Sequence, residues 1–413
     1  DIETTTIAGY LLDFNTGKKL DVYSCSNPQK VYGADVISRI FHTITQETAL
    51  DELQKIIIKC INEMIDCFTK NNGISCKDIY EAVFVGNTTM LHFLLGLPAK
   101  NIASSPFIPV TTAMHIIKPD DLGLGMNSGG RAVVFPSVAA YIGADTVSAV
   151  LTSGIHEKDE ITLLIDLGTN GEIVLGCKNW LLSCSAAAGP AFEGANIQYG
   201  VAGVRGAIDK VELDGDIKYS TIGGGKAIGI CGSGLVDAVS VMISSGIIDE
   251  TGRFLEKEEQ KNLSPKLRNR IVYTEGSVSF LIAAADGDRS DTDIFITQKD
   301  IRELQSAKAA IAAGVKVLVK NAGISVNDID RVFLAGGFGS FINIESAIKI
   351  GLIPEGLKGK VQSIGNAAGA GAVEGLLSSD ALIKASEIKN RIKYVELSAS
   401  KDFMDEYINC MMF

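Results

Sequence analysis

Short apolar runs broken by turn residues alternate along this chain with stretches whose apolar positions return every three or four residues. Near the start, Ile7 to Leu12 and Val22 to Ser24 alternate as strands do, and Asn15-Thr16-Gly17 between them offers a turn. Leu53, Ile56, Ile57, Cys60, Ile61, Met64 and Cys67 recur at helical spacing, which puts Cys60 and Cys67 on a buried face as core residues. Ala82–Val85 reads as a strand, followed by Gly86-Asn87-Thr88-Thr89 and an apolar helix over Met90–Leu95. Small and hydroxyl residues at the C-terminal end of a strand are where open α/β sheets bind ligands. Phe107 to Ser137 is rich in Pro and Gly and reads as loop with short strands, and a helix is expected over Pro136–Leu151. Leu163–Ile165 and Ile173–Leu175 form a further strand pair, and Ile230 to Val239 is a glycine turn entering an amphipathic helix whose first N–H groups are open to a ligand. Gly246 to Asp293 reads as irregular and charged. Thr297 with Asp300 makes a capping box for a helix carrying Ile301, Leu304, Ala307, Ile311, Val315 and Leu318, which ends near Gly323. Arg331–Leu334 is a strand, Asn366–Leu377 a helix of small residues, and Tyr394–Phe413 a strand and a final helix.

The turn between the central strands carries chemistry. Asp166 ends the first strand, and Gly168-Thr169-Asn170-Gly171 leads through Glu172 into the second. Asn-Gly tolerates positive φ, so N–H groups can converge there as an anion nest, and a strand-end aspartate is a hard oxygen ligand suited to Mg²⁺. Taken alone, the stretch is equally an ordinary hairpin. The same plan recurs, however: Asp1-Ile2-Glu3-Thr4-Thr5-Thr6 opens the first strand pair, Asp78–Met90 matches Asp328–Ser340, and Ile142–Leu151 matches Gly365–Glu374. Matched elements in one order predict a duplicated, two-lobed α/β fold with a ligand cleft between the halves; the period is too long for a solenoid. The charged break His156–Glu160 marks the boundary, giving lobes over 1–155 and 156–413, with an insert near 246–296. Ala187–Ala195 is a run of small residues with one carboxylate, Glu193, and its smallness serves close approach to a ligand and tight packing alike. Gly223-Gly224-Gly225-Lys226 lacks the full P-loop pattern and is set aside.

Composition narrows the class. With 413 residues, 46% hydrophobic, and 43 glycines, the chain suits a Gly-rich, small-residue α/β fold of an enzyme or a binding protein, and no segment reaches the roughly 18 uninterrupted apolar residues of a membrane span. A formal net charge of −11 argues against a nucleic-acid partner. The eight cysteines include no Cys-x-x-Cys pair, and the four histidines are scattered, so reduced thiols are expected and a His-based metal site is not.

Asn27-Pro28-Gln29 with Tyr32-Gly33-Ala34-Asp35-Val36, then Asp166–Glu172, Ala187–Ala195 and Gly229-Ile230-Cys231-Gly232-Ser233-Gly234 add a further likeness. In this order they resemble the C-terminal ATPase domain of the reductive activators of corrinoid proteins, within the actin, sugar kinase and heat-shock ATPase superfamily. The resemblance covers the chain from end to end. It implies an actin-like ATPase fold binding ATP or ADP with Mg²⁺ in the cleft. Thr4, Thr5, Thr6, Gly168, Thr169, Asn170 and Gly171 would contact phosphates. Gly232, Ser233, Gly234, Gly336, Gly337, Phe338 and Gly339 would hold ribose and adenosine, the adjacent glycines leaving room for a flat purine. Asp1 and Asp166 would hold the metal, and Asp166, Glu172 and Glu193 would be catalytic.

Hydrolysis would switch the angle between lobes and drive reduction of a corrinoid protein from Co(II) to Co(I), in a cytoplasmic homodimer, with Asn27–Asp35 and Ala187–Ala195 facing the partner. Because Asp1 stands inside the first loop, the chain is expected to be a fragment. In the family resembled, an N-terminal domain with a two-iron two-sulfur cluster and a middle domain come first, and neither is expected within this chain, which would then hold no iron–sulfur cluster. Two positions depart from pattern: Glu3 stands where the family has glycine, and Phe135 where heat-shock ATPases carry a carboxylate. They keep open a nucleotide-responsive module without turnover, and a small-molecule kinase with Asp145 as base.

Overall fold

Most of the segments that the apolar pattern marks as strands and helices form as such in the computed structural model, which describes residues 1–413 except Glu275, Asp288 and Ala399. The chain divides into two compact units. One comprises residues 1–159, 176–183 and 366–394, the other 160–175, 184–365 and 395–413.

The first unit opens with an antiparallel hairpin of β1 (Thr6–Leu12) and β2 (Lys19–Ser26). Its turn is closed by the Asp13 carboxylate, which accepts from the Asn15 and Thr16 amides. Helix α1 (Val36–Thr45) is capped by Asp35, and α2 (Ala49–Asn72) ends at Gly73 in the left-handed region that glycine adopts without strain. Leu53, Ile57, Cys60, Ile61 and Met64 of α2 are buried, as their spacing requires, whereas Cys67 is only half-buried. After them come β3 (Glu81–Phe84), α3 (Thr88–Leu94), β4 (His115–Ile117), α4 (Pro119–Leu122) and β5 (Arg131–Val134). Strand β5 lies between β3, to which it is parallel, and β4, to which it is antiparallel. Ile2 bridges to both Ile7 and Gly86, tying the hairpin to the end of β3.

Helix α5 (Ala144–Ser153) starts later than the pattern implied. Residues from Pro136 form a turn instead, in which the Val138 and Ala139 amides share the Ile142 carbonyl. Gly143 then lies so near α3 that a Cβ there would stand 2.6 Å from the Asn87 Cα.

Next in sequence come β6 (Thr162–Leu167) of the second unit, then β7 (Gly171–Cys177) and β8 (Trp180–Ala186), whose residues 176–183 belong to the first unit, and, in the second, β9 (Ala207–Leu213), β10 (Ile217–Thr221), β11 (Gly229–Ile230) and α6 (Gly232–Ser244). The stretch expected to be irregular contains α7 (Pro265–Arg268), β12 (Ile271–Thr274) and β13 (Ser277–Ala283), and with β14 (Ile294–Thr297) these strands form an antiparallel sheet. Its charge had masked a period-two pattern in which Phe280 and Ile282 turn inward. Helix α8 (Gln298–Ala322) has the Thr297–Asp300 capping box and ends at Gly323. It leads to β15 (Arg331–Ala335), the short α9 (Gly336–Gly339), α10 (Ile344–Lys349) and β16 (Val361–Gly365), with β15 parallel to both β6 and β16.

The chain then supplies α11 (Ala367–Leu377), α12 (Ser379–Arg391) and β17 (Ile392–Tyr394) to the first unit, and α13 (Lys401–Asn409) to the second. Helix α11 crosses α5 at Ser148. Ser148 Oγ donates to the Ala368 carbonyl at 2.6 Å, and a Cβ on Gly371 would lie 2.1 Å from the Ser148 carbonyl oxygen.

The internal repeat is visible in detail. Both α2 and α8 end on a left-handed glycine, and both lead through a Ser-x-x-Asp capping box, Ser75–Asp78 and Ser325–Asp328, into the strands β3 and β15.

Candidate functional site

The second unit brings several of the anticipated residues together at the C-terminal ends of β6 and β15. Asp166 and Ala335 are register partners in these parallel strands. Gly336, next in line, has φ +85°, and a Cβ there would stand 2.5 Å from Asp166 Oδ1. Two constraints, one conformational and one steric, therefore demand glycine at 336, and neither involves a purine. Gly337 is different: it is exposed and a Cβ on it would meet nothing within 4 Å, so open space lies beside this turn. Phe338 stacks on Phe192 with ring centroids 4.9 Å apart and planes at 23°. Gly232 fits beneath that pair, since a Cβ would fall 1.9 Å from the Phe192 carbonyl oxygen, and Gly234 fits against the Ile208 carbonyl at 2.2 Å. Gly232, Ser233 and Gly234 are all buried, so their small size is already required by packing at the start of α6.

Between β6 and β7 the turn is tighter than Asn-Gly chemistry suggested. The Gly168 amide bonds the Asn170 carbonyl at 3.1 Å, and neither Asn170 nor Gly171 takes positive φ, so the expected nest does not form there. Gly171 is small because Ile311 of α8 packs against it: a Cβ would meet Ile311 Cδ1 at 1.9 Å. Behind the turn, the Thr169 hydroxyl donates to the Glu193 carboxylate. Burial raises the Glu193 pKa above the ordinary glutamate value, and the Thr169 bond opposes that rise. Glu172 points to Ser185, whose hydroxyl donates to it at 3.3 Å.

The first unit holds Asp1, Glu3 and Thr4–Thr6. Asp1 Oδ2 accepts from Asn366 Nδ2 at 3.1 Å, while Asp1 Oδ1 is buried and has no hydrogen-bond partner among the described residues. Asn366 itself caps α11 through Gly369, and its amide also reaches the Tyr10 hydroxyl at 3.3 Å. Thr4 is buried and its hydroxyl accepts from Asn87 Nδ2 at 3.0 Å. Thr5 and Thr6 are half-buried, and Glu3 is exposed. Sequence reasoning missed Asn366 as a partner of Asp1, though its capping position at a helix of small residues was a visible signal. Asn27 and Gln29, expected on a partner surface, are fully buried and turn inward.

Asp145, the candidate kinase base, lies in the first turn of α5. Its carboxylate accepts from the Thr146 amide at 2.6 Å, and burial pushes its pKa up to about 6. Phe135 is buried against α11, where a Cβ on Gly375 would lie 2.3 Å from its ring; packing explains an aromatic residue there.

In the first unit the orphaned buried carboxylate oxygen of Asp1, and in the second the strand-end carboxylate of Asp166, are each of the hard oxygen type that Mg²⁺ takes beside water and phosphate oxygens. Among the described residues no three His, Cys, Asp or Glu side chains cluster to hold a metal alone. No helix among them is long and apolar enough to cross a membrane.

A family model described as the C-terminal domain of RACo, the ASKHA domain, matches residues 160–413. A second, described as the RACo middle region, matches residues 1–158. That second match overturns the expectation that a middle region is absent, because the segment bearing Asp1–Thr6 is that region in the family's own division. The corrinoid activation enzyme RamQ of Eubacterium limosum is 37% identical over 415 residues, spanning 100% of this chain and 69% of its own length. A Co(II) methylated amine-specific corrinoid protein reductase of Methanosarcina barkeri is 25% identical over 446 residues, spanning 99% of this chain and 75% of its own. A solved structure described as a reductive activator for corrinoid, iron-sulfur protein superposes with a TM-score of 0.89 at 38% identity, covering 100% of this chain and 65% of that one.

Proposed function

The chain belongs to the family of reductive activators of corrinoid proteins, and from that membership we propose that it binds and hydrolyses ATP with Mg²⁺ to drive a corrinoid protein from Co(II) to Co(I). An ASKHA domain implies nucleotide binding. The observation that carries the ATP reading is the open space at exposed Gly337, in the turn that follows the strand paired with the one Asp166 ends. In the second unit, Asp166 is the metal ligand, Gly168–Gly171 contact phosphates, and the Gly336–Gly339 turn with Gly232–Gly234 takes adenosine and ribose. In the first, Asp1 is a metal ligand and Thr4–Thr6 are phosphate contacts. Mg²⁺, held by these carboxylates, would supply positive charge to offset that of the phosphates.

The chain's own groups do the rest. Thr169 fixes the Glu193 carboxylate, and Glu193, ionised, accepts a proton as water attacks the terminal phosphorus and ADP leaves. Glu172, steadied by Ser185, keeps the strand behind the turn in place. Reduction of Co(II) is uphill for ordinary donors, so ATP turnover serves to bias protein conformations and not to supply electrons. The resemblance assigns the supply of electrons to an iron–sulfur cluster. A cytoplasmic homodimer accords with the resemblance.

The test is phosphate release by this chain with Mg²⁺, with and without a Co(II) corrinoid protein. Partner-stimulated hydrolysis is expected. Asp166→Asn should lower it about a hundredfold, as loss of a charged metal ligand does, and Glu3→Gly should raise it by removing a carboxylate that repels triphosphate. Hydrolysis that ignores both Asp166 and the partner would sink the proposal.

A further inference from the structure

Three successive carbonyls of the first loop are held from one side. The Glu3 carbonyl accepts from the Asn27 side-chain amide at 2.8 Å, that of Thr4 from Arg39 Nη2 at 2.6 Å, and that of Thr5 from the Asn27 backbone N–H at 2.8 Å. In a trans peptide the N–H points opposite to the C=O. The Thr4 and Thr5 amides therefore face away from Asn27 and Arg39, and among the described residues no acceptor takes either hydrogen. Adjacent N–H groups open on one side make an anion-binding concavity.

Arg39 stands behind them. It is 0% exposed, and its other contacts are the Gly33 carbonyl at 3.0 Å and the Met90 sulfur at 3.3 Å. Asp35, the acid that acts on it electrostatically, spends its carboxylate on the Ser38 amide and hydroxyl. No carboxylate among the described residues forms an ion pair with it. Burial brings its pKa down to about 10, which leaves it charged at neutral pH. A buried cation without a counter-ion works against folding, so the fold retains a charge that it does not neutralise.

We propose that Arg39 is a positioning residue for phosphate binding: it pins the Thr4 carbonyl so that the Thr4 and Thr5 amides face an anion, and the bound anion supplies its missing countercharge. The inference rests on the reading of Thr4–Thr6 as phosphate contacts. It assigns to the Asn27–Arg39 stretch an inward role.

Affinity for Mg-ADP by titration calorimetry and melting of the ligand-free chain are measured together for the unmodified chain, Arg39→Gln and Arg39→Lys. Arg39→Gln is expected to bind about tenfold more weakly, the effect of one charge-assisted contact, while its ligand-free melting temperature holds or rises because a buried charge has gone. Arg39→Lys should recover most of the affinity. A lowered melting temperature with unchanged affinity means an arginine that is merely structural, and overturns the proposal. Failure of the unmodified chain to bind nucleotide overturns the phosphate-loop reading and this inference with it; binding that Arg39→Gln leaves intact overturns only the inference. Arg39→Met is the second neutral variant should Arg39→Gln not fold, and if neither folds the role is structural.

Discussion

Glu193 is held above the ordinary glutamate range by burial, with the Thr169 hydroxyl pulling the other way. A proton acceptor works only when ionised, so hydrolysis should rise with pH through that raised pKa, placing its acid limb higher than a solvated glutamate would. Glu193→Gln keeps the volume and removes the charge; kcat is expected to fall about a hundredfold and the acid limb to vanish, with nucleotide affinity little changed. Paired pH–rate profiles check this, and a limb that survives in the variant assigns the titration to another group. The same shift affects folding. Stability from a carboxyl whose folded pKa is raised is fully present below its unfolded value of 4.5 and is lost as pH rises through the folded one. At this scale residue identity was legible but cause was not. Asp166 and Gly336 stood out in the sequence, yet the reason for Gly336 is a φ of +85° and the Asp166 oxygen, both of which exist only once β6 and β15 are paired.

Helices α5 and α11 show what small residues do for an element. Their contact puts the Gly371 Cα against the Ser148 carbonyl, a backbone group that cannot swing aside. Gly371→Ala gains about 1 kcal/mol of helix propensity, against overpacking that costs about 1–3 kcal/mol when only side chains yield and more when backbone must. Clash wins. The variant should be destabilised by roughly 1–3 kcal/mol in urea unfolding, and a variant as stable as its parent would show that the helices sit further apart. The small-residue pattern of Asn366–Leu377 announced such a crossing. Its position over Ser148 was not legible, because α5 begins only at Ala144, where Gly143 meets Asn87.

Over the whole chain, residues more than a hundred positions apart share one buried charge. Lys308 of α8 is 1% exposed; its ammonium donates to the Met412 carbonyl and lies 5.2 Å from the Phe413 ring centroid. Gln305, one turn earlier, donates to the Met411 carbonyl at 2.8 Å. Burial pulls the Lys308 pKa from 10.5 to about 8. Between those values the unfolded chain binds a proton that the folded chain does not, so stability rises with pH across that window. Lys308→Met should therefore be most favoured relative to its parent at pH 7, by up to about 3 kcal/mol, and that difference should shrink as pH approaches 10. Chemical denaturation at both ends of the range checks it; a difference flat with pH would mean that the ammonium is solvated.

By itself the sequence determined most element types, though not those of the charged stretch that holds β12 and β13, together with the repeat and the loops that end its strands, because apolar period, capping boxes and turn glycines act over a few neighbouring residues. Ser75–Asp78 and Ser325–Asp328 are legible twice for that reason. Tertiary structure alone decided which of those residues work together. Asn366 meeting Asp1, Arg39 reaching the Thr4 carbonyl and the chain's last residues closing over Lys308 all join positions far apart in sequence. Such contacts leave no periodic trace, since burial and hydrogen bonding reward proximity in space, which only the folded chain provides.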